Sequence, residues 1–276
     1  MTDKERADAA LVHRGLAASR EKAQAMTMAG EVYIGEHKIC KSSEPVRISD
    51  ELVLRSSGEK YVSRGAYKLE KAVRVFGADI KDRIVMDIGA STGGFTDICL
   101  RSGARHVYAI DVGYGQLDWR LRNDPRVTVM ERTNARYLNA DMFPQRPETA
   151  VMDVSFISIR LILPVAFDVM GENGILYTLI KPQFEAGRDK IGKNGVVRNP
   201  ETHEEVIRSI IDFSDFAGLI VRQLDYSPIT GPEGNIEFLA EIAMKREGNP
   251  KIRDDEIHRI VTEAHDLLNH SGTGKL

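Results

Sequence analysis

Candidate strands recur along the second part of the chain, at residues 83–88, 106–110, 127–131, 149–153, 174–180, 221–226 and 238–243, several of them short apolar runs. Between several of them lie stretches whose apolar positions follow a helical period, at 65–76, 94–102, 158–170 and 201–217. Short runs that are apolar almost throughout read as strands buried on both faces. Their alternation with helices predicts an α/β fold with a mostly parallel sheet covered on both sides. The last two runs are joined by a Gly/Pro-rich turn, 228–235, which predicts an antiparallel edge pair.

The first sixty residues follow a different grammar. Residues 6–14 and 19–30 fit short helices, with Gly15 as a stop and Ser19 as an N-cap. The capping box is incomplete, because Lys22 stands where a glutamate or glutamine would close it. Residues 32–39 read as a hairpin turning at Gly35-Glu36, and 46–48 and 52–54 as further strands. Ser56-Ser57-Gly58-Glu59-Lys60 reads as a linker. The expected organisation is a small α+β domain (1–58), an α/β domain (59–246) and a polar C-terminal tail (247–276) with one weak helix at 254–268.

With 276 residues and 42 % apolar content, a sizeable core can form and wholesale disorder is excluded. No run approaches the ~20 apolar residues of a membrane helix. The first ten residues carry charges and no apolar signal core, so a soluble, cytoplasmic protein is expected. Cys40 and Cys99 are too few for a disulfide framework or a metal cage. Lys and Arg number 38 against 41 Asp and Glu, a net charge of -3 that as a bulk figure speaks against a nucleic-acid partner.

The most informative stretch is Asp87-Ile88-Gly89-Ala90-Ser91-Thr92-Gly93-Gly94-Phe95-Thr96: an acidic strand end, a turn of small residues and the start of a helix. Such a turn lets a ligand approach the backbone and meet free helix N–H groups. Asp111 ends the next strand and is placed to accept bonds from a ribose diol. A dinucleotide site would want GxGxxG, but Ser91 holds the second glycine position. S-adenosylmethionine, with no pyrophosphate and a cationic end, suits this acidic turn better. A strand–helix turn serving packing alone is the other reading. Asn134 is a candidate for the adenine edge, through the Asn134-Ala135 backbone.

Four further residues form a chemical set. Asp153 and Lys181 end apolar strands, where open α/β sheets bind ligands; Lys68 lies on the helix at 65–76 and Glu237 begins a strand. A ribose hydroxyl is a poor nucleophile, so methylating it needs a base. A lysine crowded by a second lysine and partly desolvated can serve, with an aspartate to orient it and a glutamate to hold the second lysine or the nucleotide. The displacement itself is dominated by positioning and needs no metal.

Residues 61–245 resemble the FtsJ-type ribose 2′-O-methyltransferases, and within them the TlyA (hemolysin A-like) rRNA methyltransferases. The resemblance rests on S-R-G-A-Y-K-L at 63–69, D-I-G-A-S-T-G-G-F-T-D at 87–97, E-R-T-N at 131–134, M-D-V-S-F-I-S at 152–158, I-K-P-Q-F-E at 180–185 and S-P-I-T-G-P-E-G-N-I-E at 227–237. It implies a Rossmann-like adenosylmethionine-dependent methyltransferase fold and a Lys-Asp-Lys-Glu tetrad at Lys68, Asp153, Lys181 and Glu237, with Lys181 as base. It also implies Asp87, Gly89, Ala90, Ser91, Thr92, Gly93, Gly94, Phe95, Asp111, Asn134 and Asp153 as cofactor residues. The implied product is a cytidine 2′-O-methylated in 23S rRNA, with 16S rRNA as a further substrate. The short terminal extensions weakly favour the large subunit.

The first domain resembles the S-four-type RNA-binding module, with Ala7-Asp8 in place of the commoner Leu-Asp. Arg6, Arg20, Lys22 and Lys38 are its candidate phosphate contacts. The count over residues 1–60 is nevertheless neutral, ten of each sign. Residues 61–74 and 181–198 each carry a local +3, making Arg64, Lys71, Arg188 and Lys190 further RNA candidates. The glycine-rich segment 187–197 reads as a loop able to close over substrate. Two other classes compete: a non-catalytic ribosome-assembly factor, and a membrane-active hemolysin for which 254–268 is the only candidate segment.

Overall fold

A computed structural model describes residues 4–28, 30–35, 37–54 and 61–270, which divide into two compact units on either side of the 60/61 boundary. Residues 56–60 of the expected linker and Glu36 of the expected turn lie outside the described residues.

The first unit runs β1 (Lys4–Arg6), α1 (Ala7–His13), α2 (Arg20–Met28), β2 (Val32–Ile34), β3 (His37–Lys38), β4 (Pro45–Arg47) and β5 (Leu52–Leu54). β1 pairs antiparallel with β4, and β3-β2-β5 form a second antiparallel sheet. Ala7, Ala10, Leu11, Ala23, Val32, Ile39 and Val46 make its core. The helix punctuation follows the sequence: Gly15 takes φ +70°, and the Ser19 hydroxyl accepts from the Lys22 N–H at 3.3 Å. Strand β1 is unexpected, since three charged residues carry no β pattern. Asp8 is fully buried and receives Arg6, Arg20 and Gln24. Its bond with Arg6 is the main reason its carboxyl is held far below the usual range.

The second unit continues with α3 (Ala66–Phe76), β6 (Ile84–Ile88), α4 (Gly94–Arg101), β7 (His106–Ile110), α5 (Trp119–Arg122), β8 (Val127–Met130), β9 (Thr149–Met152), α6 (Leu163–Met170), β10 (Ile175–Ile180), α7 (Pro182–Glu185), α8 (Pro200–Phe216), β11 (Leu219–Tyr226), β12 (Phe238–Met244) and α9 (Asp254–His270). Its sheet has the order β11-β12-β10-β9-β6-β7-β8 and is parallel except at β12. All five residues of β6 are buried, as a central parallel strand requires. The pleat divides them: Met86 and Ile88 enter the core under α6, α8 and α9, while Val85 enters the core under α3 and α4.

Two expectations change. The two final strands are antiparallel as expected, but β12 inserts between β10 and β11, so only β11 lies at the edge. The polar tail is not a tail up to residue 270: α9 buries Ile257, Ile260, Val261 and Ala264 in the main core. Four aliphatic residues on one stripe suffice for burial, although the segment as a whole is polar. That stripe faces the sheet, so it is not offered to a bilayer. No described helix is long and apolar enough to cross a membrane.

Candidate active site

The site forms at the carboxyl ends of β6, β9 and β10, where strand order reverses and open sheets leave a crevice. Asp153 follows β9 and Lys181 follows β10. Glu237 precedes β12, and because β12 runs antiparallel, with Ile180 opposite Phe238, its start lies beside the end of β10. Lys68 reaches the same place from the first turn of α3.

These four side chains meet. Lys68 Nζ lies 2.7 Å from Glu237 Oε2 and 3.4 Å from Asp153 Oδ2. Lys181 Nζ lies 2.5 Å from Asp153 Oδ1 and donates to the Ser155 hydroxyl at 3.0 Å. One carboxylate thus serves two lysines, an oxygen to each. Gln183 fixes the far side of Glu237, its amide donating to Oε1 at 3.1 Å. Lys68, Lys181 and Glu237 are buried. Burial pulls the Lys68 pKa down, but Asp153 and Glu237 together outweigh it and hold the ammonium above its ordinary value. Lys68 is therefore a fixed cation, committed to two carboxylates. Lys181 gives one bond to a carboxylate and one to a neutral hydroxyl. Ser155 and Gln183 are the partners that sequence reading missed; both lie within the conspicuous motifs at 152–158 and 180–185, beside Asp153 and Lys181.

Two cavities open onto this set. One, about 220 Å³, is lined by Lys68, Gly89, Ala90, Ser91, Thr92, Gly94, Phe95, Asp153 and Lys181 among others. The other, about 430 Å³, is lined by Gly89, Ser91, Asp111, Asn134, Asp153 and the apolar Ile88, Ile110 and Ile162 among others. They share Gly89, Ser91, Asp153 and Ser155. The backbone turn is built for close approach: Gly89 has φ +84°, and a Cβ there would sit 2.8 Å from the Asp153 carbonyl oxygen. Asp111 closes the turn, accepting from the Ser91 N–H at 2.8 Å and the Gly113 N–H at 2.7 Å. Asn134 caps a short 3₁₀ turn, accepting from Arg136 N–H at 3.0 Å. A two-chambered crevice, with an apolar chamber beside an acidic strand end and a polar chamber lined by Lys68, Asp153 and Lys181, fits S-adenosylmethionine.

Two expected cofactor residues sit behind the crevice wall. Asp87 is fully buried, its Oδ2 accepting from the Thr96 hydroxyl at 2.6 Å, and its Oδ1 has no partner among the described residues. Gly93 has φ +98° and packs under Leu117 and Leu121. The pleat explains Asp87: it shares the Val85 face of β6 and so points at α4. Burial pushes its pKa up to about 7, against the pull of the Thr96 bond. Between the ordinary carboxylate range and about 7 the folded chain holds a proton that the unfolded chain has released. Its contribution to stability is therefore present at low pH and is lost as pH rises through that window. Asp87→Asn, neutral at every pH, is expected to flatten the stability–pH curve there, as read by urea midpoints.

The expected RNA contacts divide. Arg64, Lys22, Lys38, Arg188 and Lys190 are exposed, with Lys190 paired to Glu205. Arg6 and Arg20 are about half exposed while bonded to Asp8. Lys71 is corrected: its ammonium is buried, 2.8 Å from Asp225 Oδ1, 2.7 Å from the Tyr226 carbonyl and over the Tyr226 ring. Burial lowers its pKa, and it is not presented to a phosphate. The segment 187–197 is pinned at its end, where Asn235 accepts from the Val197 N–H and donates to the Gly195 carbonyl, each at 3.1 Å. Among the described residues no group of three His, Cys, Asp or Glu side chains could hold a metal ion.

The FtsJ-like methyltransferase family matches residues 61–243. A Bacillus subtilis (strain 168) protein provisionally named an rRNA methyltransferase, YqxC, is 50 % identical over 268 residues, 96 % of this chain and 95 % of that one. The 16S/23S rRNA (cytidine-2′-O)-methyltransferase TlyA of Mycobacterium tuberculosis (strain CDC 1551 / Oshkosh) is 39 % identical over 266 residues, 95 % of this chain and 99 % of that one. A solved structure from Streptococcus thermophilus, provisionally named a hemolysin, superposes with TM-score 0.75 and 43 % identity, covering 99 % of this chain and 100 % of that one.

Proposed function

The chain belongs to the FtsJ-like methyltransferase family, and from that premise we propose that it methylates the ribose 2′-oxygen of a cytidine in ribosomal RNA. The observation that carries the reading is the single Asp153 carboxylate bonded to two lysines at the floor of the crevice. When bound, S-adenosylmethionine supplies the methyl group from a sulfonium centre. Gly89, Ser91, Asp111 and Asn134 hold it, with Asp87 supporting the turn from behind.

With the cofactor bound, Lys181 would take the proton of the 2′-hydroxyl as that oxygen becomes the nucleophile. Asp153 aims Lys181 and Glu237 aims Lys68, whose fixed positive charge faces the hydroxyl oxygen as it gains electron density. Lys68 is unsuited to the base role because two carboxylates hold its proton. One relative is named for both 16S and 23S rRNA and another for 23S rRNA alone, so both subunits enter the test. The first unit would grip RNA through Arg6, Arg20, Lys22 and Lys38, and Arg64, Arg188 and Lys190 would flank the crevice. Such an enzyme works in the cytoplasm, where ribosomes are assembled.

The test incubates the purified chain with labelled S-adenosylmethionine and separate large and small ribosomal subunits or free rRNA, then maps 2′-O-methyl sites by primer extension. Label at a cytidine ribose is the expected result. Absence of label from every RNA overturns the reading.

A further inference from the structure

The segment Lys181-Pro182-Gln183-Phe184-Glu185 leaves the end of β10, and four of its five side chains reach another part of the site. Lys181 meets Asp153 and Ser155, Gln183 meets Glu237, and the Phe184 ring lies 5.1 Å from that of Phe156. Glu185 is the fourth, and the methyl-transfer step makes no direct use of it. Its side chain is only 2 % exposed, and Arg160 Nε faces its Oε2 at 3.8 Å. It accepts from the Ser158 hydroxyl at 2.7 Å and from the Ile159 N–H at 2.8 Å. Burying a carboxylate is unfavourable unless it is paired and hydrogen-bonded; burial holds the Glu185 pKa up, against the pull of Ser158, Ile159 and Arg160.

Those two bonds close a bracket. The loop 153–159 is fastened at its start by Lys181, through Asp153 and Ser155, and at its end by Glu185, through Ser158 and Ile159. Both fasteners come from one five-residue segment. Between them Phe156 stands 92 % exposed with φ +64°, a backbone conformation that an aromatic residue keeps only under restraint from its surroundings. Released at its end, the loop would relax toward ordinary φ and carry Ser155 and Asp153 away from Lys181.

We propose that Glu185 is a positioning residue for methyl transfer, acting on Lys181 through the 153–159 loop. It lines neither cavity itself and acts through the loop, whose Asp153 and Ser155 line both cavities and hold the Lys181 ammonium. This inference rests on the methyltransferase reading of the site.

The test measures single-turnover methyl transfer to rRNA across pH, together with S-adenosylmethionine affinity by calorimetry, on the full chain. Glu185→Ala is expected to lower the transfer rate about 10- to 100-fold through misplacement of the acceptor. It should also shift the pH–rate profile, because the partners of Lys181 move, and weaken cofactor affinity, because Asp153 and Ser155 line both cavities. Glu185→Gln can accept from Ile159 and donate to Ser158, and should recover the rate to within about threefold of wild type. A Glu185→Ala enzyme whose pH profile is unchanged, whatever its stability, overturns the proposal, as does a Glu185→Gln enzyme no better than the alanine variant. Should Glu185→Ala fail to fold, Ser158→Ala decides: it removes one bond and should cost about 3- to 10-fold in rate with the same shift in profile. An unchanged Ser158→Ala overturns the idea. A wild type that labels no rRNA fails at the parent reading and takes this proposal with it. A wild type that labels rRNA while Glu185→Ala matches it overturns this proposal alone.

Discussion

Replacing Lys181 with alanine is expected to lower methyl transfer by ~10²–10⁴-fold, the range that a positioned general base contributes, while the chain still binds S-adenosylmethionine. Two features of the geometry make the effect large and specific. Lys181 follows β10 directly, so its stem is set by the sheet, and its ammonium is aimed by Asp153 and Ser155. Removing it leaves Asp153 still paired with Lys68, so no buried carboxylate is stranded. Lys68→Ala contrasts with it. That change takes a cation from the fully buried Glu237, and breaking a buried pair costs about 3–5 kcal/mol. Rate and stability should therefore separate: Lys181→Ala loses rate with the melting temperature nearly kept, and Lys68→Ala loses both. Calorimetric titration with the cofactor and single-turnover transfer to rRNA check the first. A Lys181→Ala enzyme with wild-type turnover would remove this lysine as the base.

The second large effect is expected at Gly89. Alanine there must hold φ +84° and place its Cβ 2.8 Å from the Asp153 carbonyl oxygen, a backbone atom that moves only if the end of β9 moves. Strain and overpacking together should cost about 2–4 kcal/mol of stability. The same displacement carries Asp153 away from both lysines and narrows the wall shared by the two cavities. Gly89→Ala should thus lose cofactor binding and turnover together, unlike Lys181→Ala. Urea unfolding and cofactor titration read the two consequences separately. Cofactor affinity equal to wild type would mean that the close approach at Gly89 does not matter to the ligand.

Much of this architecture is legible in the amino-acid sequence. Apolar runs mark the central strands of the large sheet, because a strand buried on both faces needs apolar residues throughout, while the partly exposed edge strands β8 and β11 mix in polar residues. Gly15, Gly89 and Gly93 are legible as turns because few other residues tolerate positive φ. The four residues of the tetrad are legible through their motifs. Less visible are features that depend on a partner far away in the chain. Lys71 counts toward a +3 cluster, yet it is spent on Asp225, 154 residues later. Lys68 counts likewise and is spent on Glu237, 169 residues later. Of the cations in that first cluster, Arg64 and Arg74 are the exposed ones. Charge position therefore describes the arginines at the surface and not the lysines beneath them.

The net charge of -3 decides little, since pairing and burial, not totals, set what a partner meets. By itself the sequence determined the order and type of the elements and the residues that could carry chemistry. Periodicity, caps and glycine turns act over a few neighbouring residues, so they are written locally. Only the tertiary structure decided that Asp87 faces α4 and not the crevice, that α9 closes the core, and that Glu237 at a strand start joins Lys181 at a strand end. These depend on how the elements pack on the sheet, and the last of them on the one reversed strand, β12. Those are set by which faces can be buried together, and no local pattern encodes them.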